Sequence, residues 1–559
     1  MKSENSKYIF LLVFLLFCIT NYIPFTVNSS QFYEGIPQDE DAIAEMVGTR
    51  ILIEKGIFNP SFVHNTGYSI EKYKPGALIY YPITQIILLN ISEIFSLSTH
   101  IFHGIFNYLL LLCIPLLFYT LFKDEKEKNL KLYSILLVLI SPTLSRDMIW
   151  STNHTILALV YILLSILFLN KYYNTTNLKW LFLFVFCFFS LIFIHLLSFF
   201  LLGLGFMLFI FIEYIVVGKK FKYILVLLLI FLAIFLGAKE FITIAGAKIN
   251  FETFILKFLY IQADASQEMR ISYPIQDLLF AWGYIPTFLA GCSIVYFTKS
   301  RFLDPIKLLM LSFLVVILAL GYSYFLGFYF INNRILLYGS IPIIFFGTFG
   351  LNEIIENHLL KKLKNIFPVV LVLILIVSIS NVLSYQNINL NIYTKENVFP
   401  LKEHMNSFVW IKSNTLEDDV IVTYYDSSNF YLKWMPYFTS RKIIFGWLID
   451  TKFDQLSDRI YYSNKDTILL KVLSPFLSEE IFRSKYTIVY NEWKNKDNIS
   501  NIFKYPDSAD SKLILNEYNI KYIYIPINNE QIINKFITSS NYQLVFQNTN
   551  IMIFTRSDN

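Results

Sequence analysis

A few polar residues in this 559-residue chain could do chemistry, and each lies beside a long apolar run. Gln38-Asp39-Glu40-Asp41, followed by Glu45, is an acidic cluster just past the apolar run that starts at Tyr8. Carboxylates placed this way can serve as a general base or as ligands of a divalent metal. They also favour the first turn of a solvated helix, where they would do no chemistry. Arg146 and Arg334 each border an apolar run. A guanidinium at a membrane edge is costly unless paired, and its planar fork suits phosphate; the alternative is simple snorkelling to the interface. His195, in His195-Leu196-Leu197-Ser198, can contact a phosphate or cap a helix. Asp264 and Glu268, in the run ending at Arg270, can order over a substrate.

The elements that must position these groups follow from composition. The chain is 55% hydrophobic and 16% charged, with a mean hydropathy of +0.52. Soluble domains are about 25% charged, and their cores stop growing near 250–300 residues. Composition therefore excludes a soluble globular protein, a disordered chain, a collagen-like fibre and a disulfide scaffold. The charge is also uneven. Up to Tyr385 there are 27 Lys and Arg and 22 Asp and Glu; from Gln386 there are 19 of each. Residues 1–385 read as a transmembrane domain, and residues 386–559 as a water-soluble one. The four cysteines, Cys18, Cys113, Cys187 and Cys292, all sit in apolar runs without CxxC spacing and read as small buried hydrophobes.

A bilayer core needs about 20 apolar residues per helix. Apolar runs at 8–27, 100–122, 131–146, 153–170, 179–195, 197–217, 221–238, 277–297, 305–326, 335–352 and 366–384 give about eleven spans by that length. Gly203-Leu204-Gly205, inside one span, reads as helix packing. Lys123, Lys126, Lys128 and Lys131 fall in one loop, as do Lys171 and Lys179, then Lys219, Lys220 and Lys222, then Lys299, Arg301 and Lys307, and finally Lys361, Lys362 and Lys364. These loops alternate, so with Lys2 and Lys7 they share one side, the cytoplasmic one by the positive-inside rule. The expected topology is a multi-pass cell-membrane protein with a cytoplasmic N-terminus and an extracytoplasmic C-terminal domain. The first span reads as a retained anchor, with a cleaved signal peptide as the alternative. Two long outward loops, 28–99 and 239–276, mix aromatic, charged and turn residues. Pro82 and Glu93 interrupt the apolar stretch 78–95, which reads as interfacial helix.

In the C-terminal part, short β-branched and aromatic runs predict strands at Val420–Tyr425, Arg441–Phe445, Tyr486–Tyr490, Ile520–Ile525, Gln543–Phe546 and Ile551–Phe554. Helices are expected between them, including Leu401–Lys412 and Glu479–Arg483, giving a small α/β domain. It has no Ser/His/Asp or metal-spaced cluster, and His404 is its only histidine, so it reads as a binding or shielding domain.

Several motifs carry a family resemblance. Asp39-Glu40-Asp41, then Thr49-Arg50 and Glu54-Lys55-Gly56, resembles the first outward loop of GT-C superfamily glycosyltransferases, and Tyr73-Lys74-Pro75-Gly76 with Tyr80-Tyr81-Pro82 looks like the continuation of that loop. Ser141-Pro142-Thr143-Leu144-Ser145-Arg146 ends the third span as a Ser-Arg does in oligosaccharyltransferases. Asn333-Arg334-Ile335-Leu336-Leu337-Tyr338, with Pro342, resembles a further signature of the superfamily at the opening of the tenth span. Oligosaccharyltransferases place an acidic metal ligand where this chain reads Ser151-Thr152-Asn153-His154, with Asp147 the only nearby acid. Asn153 and His154 are therefore candidates on the acceptor side with Glu268. No cofactor is assigned, and a divalent metal stays as the alternative. Protein O-mannosyltransferases and lipid A aminoarabinose transferases, relatives not thought to need a catalytic metal, are the nearer resemblance. The Trp-Trp-Asp motif of oligosaccharyltransferases is absent from the tail, where Gly446-Trp447-Leu448-Ile449-Asp450 does not replace it. N-linked oligosaccharyl transfer is not expected.

The expected fold is thus a polytopic α-helical membrane protein, GT-C-like, with a C-terminal extracytoplasmic α/β domain. The resemblance implies a glycosyltransferase using a polyprenyl-phosphate sugar donor at the outer face. Arg334, with Arg146 and His195, would bind the donor phosphate, and Asp41 or Asp39 would act as base on a protein, lipid or glycan acceptor. The bilayer is a partner; nucleic acid is not. Two other classes compete: a lipid or polysaccharide transporter or flippase, and a non-catalytic scaffold. Transporters favour internal repeats and midplane charges. The sequence has no evident repeat, and Glu213 lies near a span end.

Overall fold

In a computed structural model, the described residues are 99–123, 129–145, 153–217, 275–300, 304–322, 332–356, 401–425, 435–447, 499–527 and 530–557, with isolated positions elsewhere. They divide between a helical unit and a C-terminal α/β unit, each taken by itself below. The expected spans at 8–27, 221–238 and 366–384, the two long outward loops, the strand at Tyr486–Tyr490 and the helix at Glu479–Arg483 lie outside the described residues, apart from isolated positions.

The helical unit contains α1 (Thr99–Leu121), α2 (Leu130–Leu139), α3 (Pro142–Ser145), α4 (Asn153–Thr175), α5 (Leu178–Ile194), α6 (Leu196–Val217), α7 (Ile275–Trp282), α8 (Tyr284–Ser300), α9 (Pro305–Gly321), α10 (Asn332–Leu337) and α11 (Ser340–Glu356). Among the described residues, two stretches are long and apolar enough to cross a membrane, Thr155–Thr175 and Ile335–Ile355, the second taken across the turn between α10 and α11; the other long helices are apolar but shorter. Their starts follow from capping residues. Asp304 precedes Pro305, and its carboxylate accepts from the Lys307 amide at 2.8 Å, while Asn177 accepts from the Lys179 amide at 3.0 Å. Side-chain oxygens at this position satisfy amides that the first helical turn leaves unbonded.

One apolar core joins these helices, with α8 packed on α11, α4 on α5 and α6 on α9. The α8–α11 seam is very close. A methyl group on Gly350 would fall 2.1 Å from the Leu289 carbonyl oxygen, and one on Gly347 would fall 3.0 Å from that of Pro286. Small residues that let backbones touch are the usual device for helix pairs in lipid. At the basic end, the Lys307 ammonium lies 4.5 Å from the Phe297 ring centre, 4.6 Å from that of Phe349 and 2.9 Å from the Asp304 carboxylate, tying α8, α9 and α11. Lys171 and Lys179 flank Trp180 at 5.1 and 4.7 Å.

Three expected spans differ from what is observed. The span at 131–146 is broken: α2 stops at Leu139, Ile140 caps it, and Pro142 opens the short α3. The span at 277–297 breaks at Gly283, whose φ of +90° lies in the left-handed region that favours glycine. Arg334 does not open the tenth span directly; it lies in the separate six-residue α10, and α11 starts after the Tyr338-Gly339 turn. Each break leaves carbonyls that partners from other helices can use.

The C-terminal unit contains α12 (Leu401–Asn414), β1 (Val420–Tyr425), α13 (Met435–Thr439), β2 (Lys442–Trp447), α14 (Ala509–Glu517), β3 (Ile520–Pro526), α15 (Glu530–Ile537), β4 (Tyr542–Gln547) and β5 (Ile551–Arg556). The strands form one sheet in the order β2-β1-β3-β5-β4, parallel across β2, β1 and β3 and antiparallel beyond. Alternate residues feed two cores. Ile421, Tyr524, Ile551 and Ile553 pack with Phe408 and Ile411 of α12; Val422, Ile523, Ile525 and Phe554 pack with Leu515 of α14 and Phe536 of α15.

Two buried polar groups set this unit's stability. Arg441 was expected to begin a strand, but β2 begins one residue later because Arg441 turns back onto two helix ends. Its Nε donates to Thr415 Oγ1 at 2.9 Å, Nη2 to the Lys412 and Thr415 carbonyls at 2.9 and 2.7 Å, and Nη1 to the Thr439 carbonyl at 3.1 Å. A cation on the C-terminal carbonyls of α12 and α13 complements both helix dipoles. Arg441→Met should destabilise the unit by about 3 kcal/mol, since it strands the buried Thr415 and Thr439 carbonyls and removes charge-assisted bonds. Thermal unfolding of the detergent-solubilised chain checks this, and Arg441→Lys should recover only part of the loss.

His404 is buried, and its Nδ1 lies 2.7 Å from the Tyr524 hydroxyl, which in turn lies 2.8 Å from Ser407 Oγ. Burial pushes the imidazole down from its ordinary 6.5 to about 4. Between those two pH values the unfolded chain binds a proton that the folded unit does not. Stability therefore falls as pH drops from about 6.5 to 4, by about 3 kcal/mol in all, and levels off below. Protease resistance of the C-terminal unit followed across this window should show the fall, and His404→Gln should flatten it. Parallel profiles for the two proteins would remove His404 from the effect.

Candidate active site

The helix breaks meet. Thr143 in α3 donates its hydroxyl to the Ala281 carbonyl in α7 at 2.6 Å. A methyl group on Gly283 would lie 3.2 Å from the Ile140 carbonyl oxygen, so the α2–α3 and α7–α8 breaks touch. The next residue inward, Trp282, is buried, and its indole Nε1 donates to the Leu336 carbonyl in α10 at 2.8 Å. Leu336 also receives the Gly339 amide at 3.0 Å, which closes the turn into α11. Gly339 is required there, because a methyl group on it would fall 2.3 Å from the indole. Gly321 at the end of α9 leaves similar room, since a methyl group on it would fall 2.2 Å from Leu336.

The fourth corner is the α5–α6 turn. His195 ends α5, donating its amide to the Leu191 carbonyl at 2.8 Å, and its own carbonyl accepts from Phe199 at 3.2 Å. The ring is buried, with Nδ1 2.7 Å from Ser198 Oγ and 3.2 Å from the Tyr338 hydroxyl. Ser198 Oγ donates to that hydroxyl at 2.7 Å. Tyr338 follows α10 directly, so the His195 motif is joined to the Arg334 motif.

Three sequence motifs are thus linked through hydrogen bonds: Ser141–Ser145, His195–Ser198 and Arg334–Tyr338. They cluster at the helix ends opposite the basic loops, since α5 runs from Lys179 to His195 and spans about 25 Å. The backbones of Asn153 and His154 begin α4, and that of Arg334 lies in α10. Asp39, Asp41, Arg146, Asp147 and Glu268 lie outside the described residues. Among the described residues, no three His, Cys, Asp or Glu side chains gather as metal ligands would. Sequence reading missed Trp282; the signal available was a Trp-Gly pair interrupting an apolar span, since a lone glycine inside such a run often marks a close approach.

No family profile matches the sequence, and no curated protein matches it. Solved structures do match its fold. The archaeal oligosaccharyltransferase AglB of Archaeoglobus fulgidus, in complex with an inhibitory peptide and a dolichol-phosphate, aligns with a TM-score of 0.56 at 11% identity, over 99% of this chain and 75% of that one. ArnT of Cupriavidus metallidurans, bound to undecaprenyl phosphate, aligns at 0.55 and 11% identity, over 100% of this chain and 99% of that one. A second Archaeoglobus fulgidus oligosaccharyltransferase structure, with zinc and sulfate, aligns at 0.58 and 12% identity, over 97% and 73%. This chain therefore shares the fold of these AglB and ArnT structures, here ending in a small sheet domain.

Proposed function

We propose that this chain is a membrane glycosyltransferase that moves a sugar from a polyprenyl-phosphate donor to an acceptor hydroxyl at the outer membrane face. The observation that carries the reading is the GT-C fold together with the linked corners that hold the Arg334 and His195 motifs. The proteins it resembles hold dolichol-phosphate or undecaprenyl phosphate, which supports a lipid-phosphate carrier for this chain too. The basic loops supply the orientation: N-terminus and Lys-rich loops inside, corners and C-terminal unit outside.

In this mechanism the acceptor oxygen attacks the anomeric carbon as the bond from that carbon to the phosphate oxygen breaks. Asp41, or Asp39, takes the acceptor proton, and Arg334 with Arg146 neutralises the departing phosphate. A single displacement inverts the anomeric centre. His195, bound through Nδ1 to Ser198 and close to Tyr338, serves by holding the α5–α6 turn against the turn that follows α10. The steps written here use no metal; residues 151–154 carry no acid at the ligand position of oligosaccharyltransferases, and Asp147 is the acid that would have to stand in if a divalent metal were bound.

A transfer assay in membranes with candidate polyprenyl-phosphate sugars, read by mass spectrometry, tests this. Glycosylated product dependent on the chain is the expected result. Movement of labelled substrate into vesicles with no glycosylated product would instead identify a transporter.

A further inference from the structure

The linked corners contain two side chains with no chemistry of their own in the reaction. Trp282 places its only polar atom on the Leu336 carbonyl, at the C-terminal end of α10, and Tyr338 places its hydroxyl between Ser198 and His195 at the other side of the same turn. A six-residue helix is too short to hold itself, because helix nucleation is unfavourable and isolated helices under about 12 residues are marginal. Its placement must come from neighbours. Ile335 and Leu336 supply apolar burial, which is not directional. The Trp282 and Tyr338 hydrogen bonds are directional, and they fix the rotation and height of the turn. The same Trp282 adjoins Ala281, whose carbonyl receives Thr143 of the segment leading to Arg146.

We infer that Trp282 and Tyr338 are positioning residues that clamp α10, the short helix whose backbone carries Arg334, in register with the α2–α3 break that Thr143 ties to Ala281, and so hold that backbone in place for binding of the donor phosphate. This rests on the glycosyltransferase reading. It assigns one residue of α7 and one of the turn after α10 to that site and gives Gly339 and Gly321 a reason: each leaves the space in which the indole and Leu336 lock together.

The test uses the full chain in nanodiscs with Trp282→Phe, which removes the indole N–H together with its five-membered ring, and Tyr338→Phe, which removes only the hydroxyl that accepts from Ser198. Three readouts are combined: deuterium exchange of the 332–338 amides, affinity for undecaprenyl phosphate, and the same affinity with Arg334→Ala added. Exchange in 332–338 should rise while α4 and α5 stay unchanged. Affinity should fall about tenfold, as expected for one lost hydrogen bond to a group that must be held in place. With Arg334→Ala already present, neither variant should weaken binding further. Unchanged exchange, raised exchange with unchanged affinity, or losses that add to that of Arg334→Ala would each overturn the clamp. A wild-type chain that does not bind undecaprenyl phosphate would sink the glycosyltransferase reading itself, and the exchange response would still tell that failure apart from failure of the clamp.

Discussion

Arg334→Ala should lower the rate of transfer by about 10²–10³-fold, the usual loss when one preorganised donor to a developing charge is removed. The donor phosphate joins two carbons and carries one negative charge. Once the sugar departs, the same phosphate joins one carbon and gains charge on the oxygen it recovers. A guanidinium facing it gains more from the product-like state than from the bound donor. The loss should therefore appear in kcat as well as in donor affinity. Arg334→Lys should recover only part, because an ammonium keeps the charge but not the fork that meets two oxygens. The fold should survive either change, since α10 is held by buried Ile335, Leu336 and Tyr338 and by Trp282. Steady-state transfer with varied donor decides it, and a variant with the wild-type rate removes Arg334 from the site.

That prediction rests on a residue visible in the sequence and on supports that were not. The Arg334 motif stands at the edge of an apolar run, and α5, α6 and α9 could be read from unbroken apolar stretches between polar ends. β1 at Val420–Tyr425 was equally plain, because a β-branched and aromatic run between turn residues leaves few alternatives. The clamp was hidden for a physical reason. Thr143 and Ala281 are 138 residues apart, and Ser198 and Tyr338 are 140 apart. Local periodicity carries no information about such pairs. Breaks inside apolar runs were only half visible: Pro142 and Gly283 mark the places, but Ile140 is as apolar as its neighbours, and the carbonyl partners that the breaks meet are not written in the sequence. Arg441 misled in the opposite way. It stands beside a β-branched run and looks like its first residue, yet the carbonyls at two helix ends claim it.

The acidic cluster should give a different kinetic signature from Arg334. Asp39→Asn with Asp41→Asn should lower transfer by about 10²–10⁴-fold, the range for loss of a positioned base. Affinity for undecaprenyl phosphate should stay unchanged, because asparagine keeps the shape of aspartate and the proton it cannot accept belongs to the acceptor. The two single variants then identify which carboxylate acts: one should carry nearly all of the loss and the other almost none, since only one can reach the acceptor hydroxyl. The pH profile adds a separate check. In the wild-type chain the rate should fall on acidification as the base becomes protonated, whereas the residual rate of the inactive variant should not follow that limb. If the double variant kept its rate, the base would have to be sought on another element. If it lost donor affinity together with rate, the cluster would belong to the phosphate side of the site, where carboxylates repel an anion unless a cation lies between them. A metal bridge is the arrangement that would then be required, so donor affinity in Asp39→Asn and Asp41→Asn separates a proton acceptor from a ligand.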